Sequence, residues 1–348
     1  DLGMGLLRAI QPWNEWIMGW GFDISKGEPQ VTEAQVRARL NTFVGEEVQQ
    51  VEIEKVSYWY VNQTWATQYS VGRVFCGGDA VHRHPPSSGL GSNTCMQDAF
   101  NLGWKLAYVL KGWAKPALLD SYSDERAPVG KQIVARANQS RFDYKHLKAV
   151  FGFDQGVQTQ AEMLQRIFAE TPEAAEIREK LYQALAIKHY EFNAQGVELN
   201  QRYLSNAVLA ETDEEIFVQD PQLYLQATTR PGAKLPHTWL IDAQGYKHST
   251  LDIVGKGRFT LLTGLSGAAW KAAAARLKLD YLDVIQIGSR EHRDVYATWQ
   301  QKSEIADAGA VLVRPDGYVA WRMQDTPEQG FDHLACLTQV FGEIQLNL

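Results

Sequence analysis

The chain has 348 residues, 45% hydrophobic and 22% charged, enough for roughly two domains that each bury a real core. Its formal charge of −7 comes from dispersed acids with no Lys/Arg cluster, so a nucleic-acid face is excluded; no apolar run approaches the roughly 18 residues that span a bilayer. The 3 cysteines, Cys76, Cys95 and Cys336, are far apart and form no CxxC pair, which excludes a disulfide framework or zinc ribbon and, with no signal segment, points to reducing cytoplasm.

In chain order, the opening DLGMGLLRAIQPWNEWIMGWGFD lacks an initiator Met and crowds Trp13, Trp16 and Trp20 together, as though the chain begins inside a domain. These tryptophans suit a pocket wall and sheet packing equally. VEIEKVSYWYVNQTWATQY (51 to 69) and GRVFC (72 to 76) are β-branched and aromatic and are expected to be strands, with Tyr58, Trp59 and Tyr60 as ordinary strand residues. TCMQDAFNLGWKLAYVLKG (94 to 112) predicts a helix with Met96, Phe100, Leu102, Leu106, Val109 and Leu110 as its apolar positions. Thr94 and Gln97 form a capping-box pattern at its start, and Gly112 suits its end. A second helix is expected through YSDERAPVGKQIVARANQ, with Pro128 in or near its first turn.

Residues 151 to 225 read as mostly helical, as in QAEMLQRIFAE and PEAAEIREKLYQALAI. The remainder, 226 to 348, gives strand (HTWLI), strand (FTLLTG), helix (GAAWKAAAARLKL) and strand (YLDVIQIG). Two strands around the Pro315-Asp316-Gly317 turn and a closing helix (DHLACLTQVFGEI) follow. The expected organisation is therefore 1–150, a helical connection at 151–225, and an α/β module at 226–348 with an independent core.

Chemistry concentrates in GDAVHRHPPSSGLGSN, residues 78 to 93. Asp79 stands at the carboxyl end of a predicted strand, where open α/β sheets bind ligands, and can accept hydrogen bonds from sugar-like hydroxyls. Gly89 and Gly91 lack a Cβ and Pro85 and Pro86 stiffen the loop, so backbone can approach something flat. The helix that starts near Asn93 points unpaired N–H groups and a partial positive charge at the same spot. His82 and His84 could ligate a metal, but no further ligands stand nearby, so no metal is expected. Cys95 lies near a helix N-terminus that can lower a thiol pKa, although a small buried hydrophobe is the simpler reading.

Gly78-Asp79-Ala80-Val81-His82, Pro85-Pro86, Gly89-Leu90-Gly91-Ser92-Asn93 and the run Asp98 to Ala107 (DAFNLGWKLA) together resemble the second flavin-binding fingerprint of the aromatic-ring hydroxylases. These are single-component FAD-dependent monooxygenases. The resemblance continues through Tyr122, Glu125, Arg126 and Pro128, matching a YxxERxP pattern, and HYEFNAQGVELNQRY (189 to 203) is similar to the phenol and chlorophenol hydroxylase branch. It covers essentially the whole chain.

The resemblance implies an α/β (α+β) fold: the C-terminal portion of a p-hydroxybenzoate hydroxylase-like FAD and substrate domain, then a thioredoxin-like domain without CxxC. Asp79 would bind the ribityl chain of FAD. The N–H groups near Ser92 and Asn93 would face the N1 and C2 carbonyl edge of the ring, Pro86 would lie beside its reactive edge, and Gly78, Gly89 and Gly91 would belong to the same cofactor-binding segment. Glu125 and Arg126 read as structural, a charge pair tying their helix to the flavin domain. The implied reaction has NADPH reduce the flavin, O2 form a C4a-hydroperoxide, and oxygen pass to a phenolic, possibly chlorinated, small molecule. No GxGxxG follows a strand, so the N-terminal portion that would hold the ADP half of FAD and the substrate-activating residues is expected to be missing. Catalytic residues therefore remain unassigned. Neither nucleic acid nor membrane is an expected partner; a homo-oligomer is, with 226–348 serving packing or subunit contact. Two alternatives stand beside this reading: a non-catalytic module that keeps the fold, and a flavin hydroxylase of polyketide or antibiotic substrates.

Overall fold

Short apolar runs broken by glycines and prolines build small sheets here, and long Ala-, Leu- and Glu-rich runs build the helices between them. The computed structural model describes residues 5–152, 159–326 and 330–348. It divides into two compact units, Asp1–Val61 with Tyr144–Ala186, and Asn62–Asp143 with Ile187–Leu348.

In the first unit the tryptophan-rich opening forms an antiparallel hairpin, Gly5–Gln11 with Glu15–Trp20. Residues 1–4 of that opening lie outside the described residues. The helix Glu33–Val44 begins at a reciprocal cap, in which the Thr32 hydroxyl accepts from the Gln35 N–H and the Gln35 side chain accepts from the Thr32 N–H. The expected strand at 51–69 needs correction. Residues 51–63 carry no strand pairing, and only Thr64–Trp65 pairs, with His82–Arg83. Composition favours an extended backbone, but a strand exists only where a neighbour takes its hydrogen bonds, and the described residues supply none at 51–63. Of GRVFC, Val74–Phe75 pairs with Ser70–Val71. The helices Gln160–Phe168 and Pro172–Ile187 fall where their periodicity places them; residues 153–158 lie outside the described residues.

The second unit is built around two helices, Gly91–Leu110 and Asp120–Phe142. The first ends as its sequence predicts, with Gly112 at φ +73°. Its buried face differs from expectation: Met96, Phe100 and Leu110 are exposed, while Thr94, Asp98, Asn101, Trp104, Lys105 and Tyr108 are buried. Pro128 is likewise not in a first turn but inside the second helix. Lacking an N–H, it gives the carbonyl of Asp124 no helical partner.

The C-terminal elements follow the predicted order. A sheet runs Leu282–Gln286, Phe259–Thr263, Ala310–Val313, Val319–Met323; its first pair is parallel and the others antiparallel. The helix Ala268–Leu277 links the parallel pair, and His333–Glu343 closes the chain. At the Pro-Asp-Gly turn the Gly317 N–H donates to the Arg314 carbonyl at 2.9 Å, and Gly317 takes φ +81°.

One face of this sheet packs within the module, on Leu235, Leu240, Val254, Ile287 and Trp299. The other does not. Phe259, Leu261, Leu312, Trp321 and Phe341 share one core with Trp104, Tyr108, Ala114 and Leu118. The core expected to belong to the module alone is thus held in common with the Gly91–Leu110 helix. Phe259 is too large to leave wet, and the aromatic edges of Trp104 and Tyr108, with centroids both 5.7 Å away, cover it.

Candidate active site

The strand ending at Phe75 leads into a single turn of 3-10 helix, Gly78–Ala80. Gly78 adopts φ +61°, and a Cβ there would meet the Cys95 sulfur at 3.0 Å, so both conformation and space require glycine. The Gly78 N–H donates to Asp98 Oδ2 at 3.0 Å, which fixes the turn from beneath. Asp79 is exposed, and among the described residues its carboxylate makes no ion pair; the Cys95 thiol makes a long contact to it at 3.9 Å, and Arg83 Nε donates to the Asp79 backbone carbonyl at 3.1 Å.

The loop that follows keeps Pro85 buried and Pro86 exposed. Ser88 (φ +65°) and Gly89 (φ +66°) are both left-handed, and for a serine that conformation costs about 1–3 kcal/mol. The helix then starts at Gly91 without any side-chain cap, earlier than the expected capping box, and Thr94 is buried within its first turns. The first-turn N–H groups are therefore uncovered, and Ser92 and Asn93 are exposed beside them. The Asn93 amide donates back to the Gly89 carbonyl at 2.9 Å, bracing the loop against the helix. Asp79, Pro86, Gly89, Ser92 and Asn93 are all exposed, whereas Gly78 is buried and Gly91 half-buried against the His84 ring.

Beneath this surface lies a ladder of buried charge. Asp98 accepts from Arg126 Nε at 2.7 Å on one oxygen, and from Gly78 and the His82 ring, 3.1 Å away, on the other. Burial raises its carboxyl, but the His82 hydrogen bond and the Arg126 charge outweigh that and hold it below the usual carboxylate range. His82 meets Asp98 through Nε2, while its Nδ1 is buried with no hydrogen-bond partner among the described residues; no group of three or more His, Cys, Asp or Glu among those residues could hold a metal.

One and two turns further along, Asn101 and Lys105 meet Glu125 at 2.7 and 2.8 Å. Arg314, from the distant Pro-Asp-Gly turn, donates to both oxygens of Glu125 at 2.6 and 2.9 Å and to Asp316 at 2.5 Å. Burial raises Glu125, yet Arg314 and Lys105 hold it well below its ordinary value. Burial pushes the Lys105 ammonium down to about 8. Glu125 and Arg126, expected as a charge pair, do not pair with each other: adjacent residues on a helix point apart, and each ties its helix to a different partner.

Cys95 also departs from a reactive reading: burial and the Asp79 charge raise its thiol. Of the tryptophans, Trp13 is 89% exposed at the hairpin turn, so it walls nothing within its unit. Trp20 lines an open cavity of about 460 Å³ with Phe22, Pro29, Val31 and Arg39. Tyr58 and Tyr60 are not strand residues; their hydroxyls donate to the Pro29 carbonyl and the Glu28 carboxylate, and both rings stand edge-on to Phe22. Gln201, Arg314 and Asp316 carry no site signal in the sequence; Asp98 and Lys105 stand in the DAFNLGWKLA run, and their spacing with Asn101 marks one polar helix face.

Residues 3–137 match the model of an FAD binding domain, and residues 228–343 match that of the C-terminal domain of aromatic-ring hydroxylases. The chain is 43% identical over 350 residues to a 2,4-dichlorophenol 6-monooxygenase of Cupriavidus pinatubonensis, covering 98% of this chain and 58% of the relative. It is 44% identical to a phenol 2-monooxygenase of a Pseudomonas species over 325 residues, covering 91% of this chain and 53% of the relative. Among solved structures, the flavin-dependent monooxygenase PieE in complex with FAD and substrate superposes with a TM-score of 0.86 at 42% identity, over 97% of this chain and 59% of that one. The chain therefore spans less than two thirds of the length of each of these three relatives.

Proposed function

The chain belongs to the FAD-dependent aromatic-ring hydroxylases, and we propose that it supplies the flavin-ring side of a site that hydroxylates a phenol with NADPH and O2. The single observation that carries this reading is the exposed, cation-free carboxylate of Asp79 beside an uncapped helix N-terminus. These residues fit the ring half of the cofactor: an acceptor for hydroxyls, a side-chain-free approach at Gly89, and a helix start with no side-chain cap among the described residues. Bound FAD would supply a two-electron relay from NADPH and the activation of dioxygen.

The chain's own groups would bind and polarise. Asp79 would accept hydrogen bonds from the ribityl hydroxyls. The N–H groups at Ser92 and Asn93, at the positive end of a helix of 20 residues, would stabilise electron density gathering at the N1 and C2 carbonyl edge, with no solvent reorganisation needed. Pro86 would close off water beside the ring. The 3 free cysteines suit the reducing cytoplasm in which NADPH is made available.

The test is turnover of the flavin-loaded enzyme with NADPH and isotopically heavy dioxygen, on phenol, chlorophenols and polycyclic polyketide phenols. Incorporation of one heavy oxygen into a simple phenol is the expected result. NADPH oxidation with no labelled product from any of them would overturn the assignment, and labelling of the polyketide phenols alone would overturn the simple-phenol substrate.

A further inference from the structure

We propose that the Arg314–Tyr318 turn of the C-terminal sheet is a positioning element for the Gly78–Asp79 turn, some 240 residues earlier, acting through a continuous buried network. The inference rests on the reading that Asp79 faces the flavin, and assigns a role in that site to a module whose sequence shows no chemistry of its own.

Two routes run from the turn. In the first, the Tyr318 hydroxyl donates to Gln201 Oε1 at 3.0 Å, and the same oxygen accepts from Arg126 Nη1 at 3.0 Å. Arg126 Nε donates to Asp98 at 2.7 Å, and Asp98 takes the Gly78 N–H at 3.0 Å. Tyr203 stacks on Tyr318 with ring centroids 4.1 Å apart and also receives an N–H from Arg126 at 2.9 Å, closing the route into a ring. In the second, Arg314 grips Glu125, which holds Asn101 and Lys105 on the same helix face that carries Asp98. Asp316 adds a hold on Trp104, whose indole N–H donates to it at 3.0 Å.

Every side chain along both routes is buried. No water competes for these bonds, so each orientation is set by the next partner rather than averaged by solvent. Arg126 leaves Asp98 one rotamer, and Asp98 leaves the Gly78 N–H one direction. With the Gly78 N–H held by Asp98, the backbone from which the Asp79 side chain departs is held as well. Buried ion pairs seldom add net stability over an apolar core, and a network of this size is more simply explained by the geometry it enforces.

Hydrogen exchange of the whole chain, read by mass spectrometry without flavin, tests the proposal. Tyr318→Phe removes one hydroxyl and little else; Arg314→Met removes the charge, and Arg314→Lys restores it without the fork. Exchange at the Gly78 and Val81 amides is expected to quicken by about tenfold in Arg314→Met and by a few-fold in Tyr318→Phe, the change that one buried hydrogen bond carries, with Arg314→Lys between. In Tyr318→Phe, amides of Phe259–Thr263 should hold within twofold. If quickening stays within 201–205 and 310–323 while Gly78 and Val81 are unchanged, the proposal is overturned. Should Arg314→Met lose protection everywhere, Tyr318→Phe alone decides. Because the readout needs no cofactor, a wrong flavin assignment would show separately, as unchanged FAD retention by an Asp79 variant whose turn still responds to Tyr318→Phe.

Discussion

Arg314 reaches back across 189 residues to place both ends of its guanidinium on Glu125, and both side chains are fully buried. Such a fork matches the carboxylate in geometry as well as charge; it joins the C-terminal sheet to the Asp120–Phe142 helix and, through Asn101 and Lys105 on Glu125, to the helix that starts uncapped at Gly91.

Removing one partner leaves the other charge buried without compensation. Glu125→Leu is expected to lower unfolding free energy by about 3–5 kcal/mol, and Arg314→Met by a similar amount. The double variant should lose clearly less than the sum, because neither charge is then stranded. Urea unfolding of the four proteins measures the cycle; strictly additive losses would mean the two residues do not act as a pair.

The depressed carboxyls of Asp98 and Glu125 predict acid sensitivity with a defined sign. A carboxyl held below its unfolded value contributes stability that is fully present above that value, about 4 for both types, and is lost as pH falls through the folded one. Stability should therefore be insensitive to these groups near neutrality and decline progressively below about pH 4. Glu125→Gln should be less stable at pH 7 yet show a shallower acid slope. Denaturant midpoints taken across the acid range would reveal an unchanged slope if the carboxylates were not responsible.

In the flavin-loaded enzyme, Asp79→Ala should weaken FAD binding about ten- to a hundredfold, the loss of charge-assisted hydrogen bonds worth roughly 1.5–3 kcal/mol. Asp79→Asn, which keeps an acceptor, should lose less. Absorbance near 450 nm after dialysis reports it, and full retention by the alanine variant would remove Asp79 from the cofactor site.

Gly130 faces the Tyr69 hydroxyl so closely that a Cβ would sit 1.8 Å from it, and that hydroxyl is buried without a hydrogen-bond partner. Gly130→Ala is expected to destabilise despite its better helix propensity, by about 1–3 kcal/mol of overpacking. Tyr69→Phe should be neutral or stabilising, since it deletes an unsatisfied polar atom, and combining the two should recover most of the loss. A melting temperature for Tyr69→Phe/Gly130→Ala no higher than for Gly130→Ala alone would contradict the packing account.

Local chemistry by itself determined the helices at 94–112 and 160–187, the alternating elements after 236, the turn at Pro315 to Gly317, and the glycine- and proline-bent loop from Gly78 to Asn93. Each rests on interactions within a few residues: periodicity, a glycine that accepts positive φ, a helix start. The pairing of 51–63 was not legible, because an extended backbone says nothing about whether a neighbouring strand exists. Nor was the buried face of the Gly91–Leu110 helix, where Met96 and Phe100 are exposed and Asp98 and Lys105 are enclosed. A charged side chain reads as surface until its partner is known, and the pairs here, Lys105–Glu125, Asp98–Arg126 and Glu125–Arg314, are separated by 20 to 189 residues. Only the tertiary structure brings them to within 3 Å, and only there does desolvation turn a row of polar residues into the support of a site.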